Sequence, residues 1–280
     1  MTEPWTIEIR PRKKWFNLNL RALWRYRDLY RMYVRRDIVT EYKQTILGPL
    51  WYLIQPVFTT IMYMFVFGGL AGISTDGAPQ PLFYFSGVML WNYFNACFLR
   101  CSDVFITNLP VFGKVYFPRL IVPLASITSN LFKMMIQFGL FVTIYIGYLI
   151  VGMSCSLNWA VLLFPLLVLL LAFHALSMGL IVSSFATKYH DLKITITFGM
   201  QLFMFATPII YPLSVASENY RFLMQLNPLT SIFEAFKYGW LGCGSLSWGW
   251  LLYSTLFMLT MLFFSIIIFT RVERNFVDNA

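Results

Sequence analysis

The sequence predicts an all-α polytopic membrane protein with six transmembrane helices. An amphipathic interfacial helix precedes the first span, and two short re-entrant or interfacial helices lie between spans five and six. Three observations carry this. The 280 residues are 59% apolar and 19% aromatic but only 12% charged, whereas about a quarter of the residues in a soluble domain are charged. Apolar runs of about 20 residues, the length a helix needs to cross the hydrocarbon, recur along the chain. The cations are uneven: 11 of the 21 Lys and Arg residues precede Gly48, a pattern of membrane topology rather than of nucleic-acid binding.

The first segment, 1–48, opens polar and basic, with no apolar h-region, so no cleavable signal is expected. From 20 to 45, Leu20, Leu23, Trp24, Tyr30, Tyr33, Val34, Ile38 and Tyr42 recur at steps of three and four. Arg21, Arg25, Asp28, Arg35, Arg36 and Lys43 fall largely on the other side, although Arg31 and Glu41 intrude on the apolar stripe. Such a helix suits the headgroup layer of an anionic leaflet. Gly48-Pro49 breaks it, and the transmembrane domain, 49–271, follows.

Its spans are expected at about 50–70, 82–101, 120–151, 159–186, 194–211 and 249–270. The tail of the second is polar, with Asn92, Asn95 and Arg100, then Asp103; Arg100 and Asp103 are three apart and could pair. Lys133 and Gln137 sit inside the third at helical spacing, as buried partners or facing a cavity. His174 is alone in the fourth, where packing or hydrogen bonding is favoured over proton chemistry. Cys97 and Cys101 share one helix face and read as small packing residues. Cys155 and Cys243 fall near the outer face, where a disulfide is conceivable. From 213 to 248 the chain is half apolar, with a turn and helix start at Asn227-Pro228-Leu229-Thr230; the helix bearing Glu234 and Lys237 is too short and too charged to span. A tail, 272–280, ends the chain.

Six spans put both termini on one side. The N-terminal arm, the loops after spans two and four, and the tail carry most of the cations, so both termini are expected in the cytoplasm. On that face lies the stretch Asn108 to Pro123, punctuated by Pro110, Pro118 and Pro123. Proline keeps it from being one helix, yet Val111, Phe112, Val115, Tyr116 and Phe117 are too apolar for an idle loop. It reads as a short docking helix, ended by Pro118, pressed against a partner.

Several chemistries lack their residues. No G-x-x-x-x-G-K-[ST] phosphate loop occurs; Gly113-Lys114 lacks the upstream glycine and the following hydroxyl. No carboxylate pair lies inside the membrane, and there is no nucleophile elbow and no metal spacing. No catalytic residue, metal site or cofactor is therefore expected, and the energy for transport would come from a separate subunit.

The ordered motifs then point to a family. Tyr42-x-x-Thr45-x-Leu47-Gly48-Pro49-Leu50-Trp51 with Pro56, Gly87 with Trp91-Asn92, Asn108 followed by Lys114-Val115-Tyr116-Phe117-Pro118-Arg119-Leu120-Ile121, Thr207-Pro208-x-Ile210-Tyr211-Pro212, and Asn227-Pro228-Leu229-Thr230 with Glu234 cover nearly the whole chain. In this order the chain resembles the permeases of type-2 ABC exporters for O-antigen, capsule and teichoic acid. Two positions depart from that pattern: His190-Asp191 stands where the family usually has Arg-Asp, and Lys133 where it often has an acid.

The resemblance implies a homodimer in the bacterial inner membrane, each copy bound to a nucleotide-binding ATPase subunit that holds ATP and magnesium. It implies a channel for a lipid-linked glycan, most naturally O-antigen on a polyprenyl pyrophosphate carrier. Coupling to the ATPase falls to Asn108, Val111, Phe112, Gly113, Lys114, Val115, Tyr116, Phe117, Pro118 and Arg119. The cytoplasmic entrance falls to Arg35, Arg36, Arg100 and Asp103, since arginine suits phosphate. Phe58, Tyr63, Phe67, Phe203 and Phe205 are the expected channel lining, because aromatic rings stack on sugar faces with few fixed hydrogen bonds. Pro208, Tyr211, Pro212, Asn227 and Pro228 belong to the expected outer gate. The competing readings are an exporter of teichoic acid, a drug or a lipid, and a membrane glycosyltransferase or polymerase.

Overall fold

Proline and glycine divide this apolar sequence into helices of very unequal length. The computed structural model describes residues 20–43, 46–112, 115, 117–152, 157–186, 189 and 191–278, and every regular element among them is a helix. Among the described residues, four stretches are long and apolar enough to cross a membrane: Gly48–Leu70, Ile121–Ile150, Trp159–Ala186 and Trp248–Val272. They coincide with expected spans one, three, four and six. The other two correspond to α4 (Gln80–Ser102), which is more polar, and α9 (Leu192–Phe205), which is shorter.

The N-terminal helix is broken at Tyr26 into α1 (Leu20–Arg25) and α2 (Arg27–Lys43). α2 lies against α7 (Ile121–Ile150) and is pinned there by a Tyr30 to Thr128 hydroxyl contact of 2.5 Å. After the Gly48-Pro49 turn, α3 (Trp51–Tyr63) carries Pro56 in its second turn and relaxes into a π-helical segment, Met64–Leu70. Thr60 hydrogen-bonds back to the carbonyl of Pro56 at 2.8 Å, a local bond that adds to the proline in bending a helix.

The centre of the bundle is α4. Every residue from Leu82 to Trp91 is buried, so this helix is enclosed on all sides by protein. Its polarity follows from that position: with neighbours on every side it need not match lipid. α4 packs against α7 and α8 (Phe164–Ala186), and α8 in turn against α12 (Trp248–Asp278). The α4–α8 crossing is close enough that a Cβ on Gly179 would stand 2.5 Å from the Cβ of Cys101. Small residues at such crossings let two backbones approach, which is a main source of helix association in lipid.

Two helix ends and one pairing differ from expectation. Span five stops at Phe205 rather than Tyr211, because Pro208 has no amide donor and disfavours helical geometry at Thr207. The last helix runs on through the expected tail to Asp278. Arg100 and Asp103 do not pair with each other: the first bonds Glu41 at 3.1 Å and the second Lys193 at 2.7 Å. Cys97, Cys101 and Cys243 are buried free thiols; Cys155 lies outside the described residues.

Candidate functional site

The chemistry-bearing side chains gather at the two ends of the bundle and along two exposed helix faces between them. The end that holds α2 contains the stretch singled out in the sequence. A single turn, α5 (Val104–Thr107), precedes it, and a second, α6 (Leu109–Phe112), opens it; Val115 is not helical, so no helix runs on to Pro118. Its two described rings point inward. Phe112 and Phe117 are buried, 5.7 Å apart between ring centres, in a cluster with Tyr33, Phe105 and Phe269. Arg119 is buried too, its guanidinium 5.2 Å from the Phe112 ring centre, a cation–π geometry. Asn108 is buried and donates to the Val104 carbonyl at 2.9 Å. Val111 and Pro118 are half-buried, whereas Leu109, Pro110 and Val115 are exposed. Thus the aromatic half of the segment anchors it to its own bundle, and Leu109, Pro110 and Val115 form its outward face. Gly113, Lys114 and Tyr116 lie outside the described residues.

The expected entrance residues occupy the same end. Arg35 and Arg36 are exposed on α2, where Arg36 chelates Asp37 (2.8 Å) and stacks over Tyr33 at 4.4 Å. Arg100 sits at the end of α4 and reaches Glu41, which also takes Lys133 Nζ at 2.6 Å and the Tyr52 hydroxyl at 3.2 Å. The partner of Lys133 was hidden in the sequence because Glu41 lies 92 residues away; its intrusion on an apolar stripe was the only signal. Gln137, one turn further along α7, donates to the Tyr52 carbonyl at 3.1 Å.

Between the ends, α3 with its π-helical continuation and α9 each leave a row of apolar side chains uncovered. Phe58, Ile61, Phe65, Phe198, Leu202 and Phe205 are all more than half exposed. Of the expected lining, Phe58 and Phe205 are open, while Tyr63, Phe67 and Phe203 are half-buried. Tyr63 packs edge-on against Phe67 and approaches Met204 Sδ at 3.5 Å, which brings the two helices together at that level. Phe203 turns toward α4, with its ring 6.0 Å from Trp91 and 6.4 Å from Phe94.

The opposite end is a polar knot. After α9, residues 206–212 turn without helix, and the surface helix α10 (Glu218–Gln225) leads to α11 (Thr230–Leu241). Asn227 ties the turn to α9: its amide donates to Thr207 Oγ1 (2.9 Å), and its oxygen accepts from the Leu229 amide (3.1 Å). Pro228 is half-buried and Pro208 is buried. Pro212 is buried as well, and Tyr211 donates to the Phe205 carbonyl at 2.7 Å. α11 is sunk into the bundle rather than laid on it. Its Lys237 is 1% exposed, donates to the Pro208 carbonyl at 2.7 Å and lies 3.9 Å over the Phe83 ring of α4. Glu234 is 3% exposed and accepts from the Ser245 amide at 3.1 Å. α11 lies outside the spans; burial there pushes the Lys237 ammonium down to about 8 and the Glu234 carboxyl above the usual range, with each charge partly offsetting the shift of the other. Across the surface, Ser214 donates to Asp76 at 2.7 Å, joining the loop between Leu70 and α4 to the segment before α10. The burial of Lys237 and Glu234 was not legible in an amphipathic sequence pattern.

Among the described residues no three His, Cys, Asp or Glu side chains stand close enough to hold a metal. His174 is buried and stacks on Phe257, with Nδ1 2.8 Å from the Leu170 carbonyl. Its surroundings are those of a packing residue.

Comparison with known proteins gives the lineage. The chain is 27% identical over 223 residues to the O-antigen export system permease protein RfbA of Myxococcus xanthus, covering 78% of this chain and 82% of that one. It is 26% identical over 256 residues to the protein of the same description from Klebsiella pneumoniae, covering 90% of this chain and 94% of the other. The ABC-2 type transporter family matches residues 28–241, from α2 to the end of α11. The helices from α2 to α11, with the segment after α4, therefore fall within the matched region while α12 lies beyond it, and the chain belongs to the ABC-2 type transporter family.

Proposed function

We propose that this chain is the permease subunit of an exporter that moves a lipid-linked polysaccharide, O-antigen on a polyprenyl pyrophosphate carrier, across the bacterial inner membrane. The observation that carries this reading is the similarity, over 90% of the chain, to an O-antigen export permease. In this reading the chain crosses the membrane six times with α4 and α9 as the second and fifth spans, both termini are cytoplasmic, and two copies form the channel. It hydrolyses no ATP itself. ATP and magnesium belong to two nucleotide-binding subunits, one docked at each copy on the outward face of residues 108–119.

The bundle supports this division of labour. α3 and α9 expose apolar, ring-bearing faces that a single copy leaves uncovered, and a second copy brought to them would enclose an aromatic-lined passage. Rings such as Phe58 and Phe205 would contact sugar faces without trapping a long polymer. Arg35, Arg36, Arg100 and Asp103 stand at the cytoplasmic mouth. The knot of Pro208, Tyr211, Pro212, Asn227 and Pro228 around α11 closes the far end. Movement of α5 and α6, transmitted through the Phe105–Phe112–Phe117 cluster to α4 and α12, is the route by which an ATPase would act on the channel.

The test is genetic and direct. Removal of this chain from its host should abolish surface glycan while carrier-linked glycan accumulates inside the cell, and restoring the chain should reverse both. Normal surface glycan in the deletion strain would reject the reading.

A further inference from the structure

A carboxylate that gathers three donors from three different helices occupies an anion site. Glu41 is in that position. It stands in the last turn of α2, and its two oxygens accept Tyr52 Oη of α3 (3.2 Å), Arg100 of α4 (3.1 Å) and Lys133 of α7 (2.6 Å). Ammonium, guanidinium and phenol together are a donor set suited to a phosphate group, which carries more charge than one carboxylate and has more acceptor oxygens. Behind the cluster, walled in part by Tyr52, Asn92, Asn95, Lys133 and Gln137, is a cavity of about 330 Å³. Pockets for small ligands run from about 300 to 1,000 Å³, so this one has room for a phosphate and an adjoining ring but not for a polymer. Three buried amide oxygens of its lining residues, Asn95 Oδ1, Asn130 Oδ1 and Gln137 Oε1, have no hydrogen-bond partner.

Glu41 is also removable. Its side chain is 24% exposed and that of Arg100 is 53% exposed, so both can rotate toward water. Lys133, at 19%, cannot follow as easily. When Glu41 leaves, Lys133 remains on the cavity wall without its carboxylate, with Arg100 nearby, and the two cations favour another anion in its place. We propose that Tyr52, Arg100 and Lys133 form a binding site for the phosphate end of a carrier lipid, and that Glu41 is an internal stand-in that fills the site until the ligand displaces it. This rests on the reading of the chain as an exporter of a lipid-linked glycan. It assigns the entrance to a site shared by α2, α3, α4 and α7 and gives the interfacial helix a function: its last turn releases when substrate arrives.

The experiment is equilibrium binding of labelled farnesyl pyrophosphate to the full-length permease in nanodiscs of neutral lipid. The wild-type chain should bind, and Glu41→Gln should tighten binding about fivefold, the equivalent of about 1 kcal/mol for a partly exposed ion pair. Lys133→Met should weaken binding at least about tenfold, as expected for loss of a charge-assisted bond worth about 1.5 kcal/mol or more. Lys133→Arg should retain it, which guards against a folding defect in the methionine variant. Competition by inorganic pyrophosphate would support a site for phosphate chemistry. Competition by phosphatidylglycerol at bilayer abundance would instead assign it to ordinary headgroups and overturn the carrier assignment. Weakening by both Glu41→Gln and Lys133→Met would show a structural ion pair and overturn the proposal. The same variants are scored for surface glycan in the deletion strain: a wild-type chain that restores glycan but binds no pyrophosphate lipid loses this site and keeps its export role.

Discussion

Lys237→Met tests the buried knot around α11 most sharply. The substitution keeps length and apolar bulk while removing a cation that is 1% exposed. Two interactions go with it. The bond from Nζ to the Pro208 carbonyl is 2.7 Å, and a hydrogen bond to a charged group is worth about 1.5–3 kcal/mol. The ammonium lies 3.9 Å over the Phe83 ring, a desolvated cation–π contact of about 2 kcal/mol. Against these stands the cost of burying the ammonium, which methionine avoids, so the net loss should be about 2–3 kcal/mol. For a chain of this size that corresponds to a fall of roughly 4–10 °C in the unfolding midpoint. The assay is thermal unfolding of the detergent-solubilised permease followed by tryptophan fluorescence, with surface glycan scored in parallel. The double variant with Glu234→Gln should lose less than the sum of the two single variants, because each removes a charge whose field the other feels. An unchanged midpoint in Lys237→Met, or strict additivity in the double variant, would refute the view that these two residues hold the knot as a unit.

Further predictions concern packing and docking. A Cβ at Gly87 would stand 2.6 Å from the Ile209 carbonyl oxygen, so Gly87→Val should cost about 1–3 kcal/mol by overpacking and loosen the turn after α9, measured as faster proteolysis within residues 206–217; unchanged cleavage would contradict the close approach. Phe112→Ala should cost about 3–5 kcal/mol, since it empties a buried ring site, and should lower the amount of folded permease recovered from membranes. Replacing Leu109 and Val115 together by serine should leave folding within about 0.5 kcal/mol, as for surface positions, yet reduce co-purification with the ATPase subunit severalfold. If the serine pair binds the ATPase normally, docking does not use this face.

Much of the bundle was legible because its information is local. The stretches around Gly48–Leu70, Ile121–Ile150, Trp159–Ala186 and Trp248–Val272 announce themselves by length and apolarity alone. The end of α9 was misjudged because Ile209, Ile210 and Tyr211 continue the apolar run past Pro208, and apolar content records burial rather than backbone geometry. The orientation of Phe112 and Phe117 was hidden for a related reason. An apolar residue in a loop wants cover, but the sequence does not say whether a partner or the chain itself provides it; here Tyr33, Phe105 and Phe269 do. Long-range polar pairs were the least readable. Glu41 with Lys133, Asp103 with Lys193 and Lys237 with the Pro208 carbonyl join residues from different helices, and no periodicity within one helix encodes its partner. The intramembrane position of Lys133 and Gln137 did signal that partners or a cavity must exist.

The most direct test of the account is transport in proteoliposomes. Permease alone, and permease with its ATPase subunit, are reconstituted with a lipid-linked glycan, and the glycan on the far leaflet is measured with an impermeant lectin. The account predicts ATP-dependent appearance of glycan only when the ATPase subunit is present, and no hydrolysis by the permease alone. Glycan movement or ATP hydrolysis by the permease without its partner would contradict it.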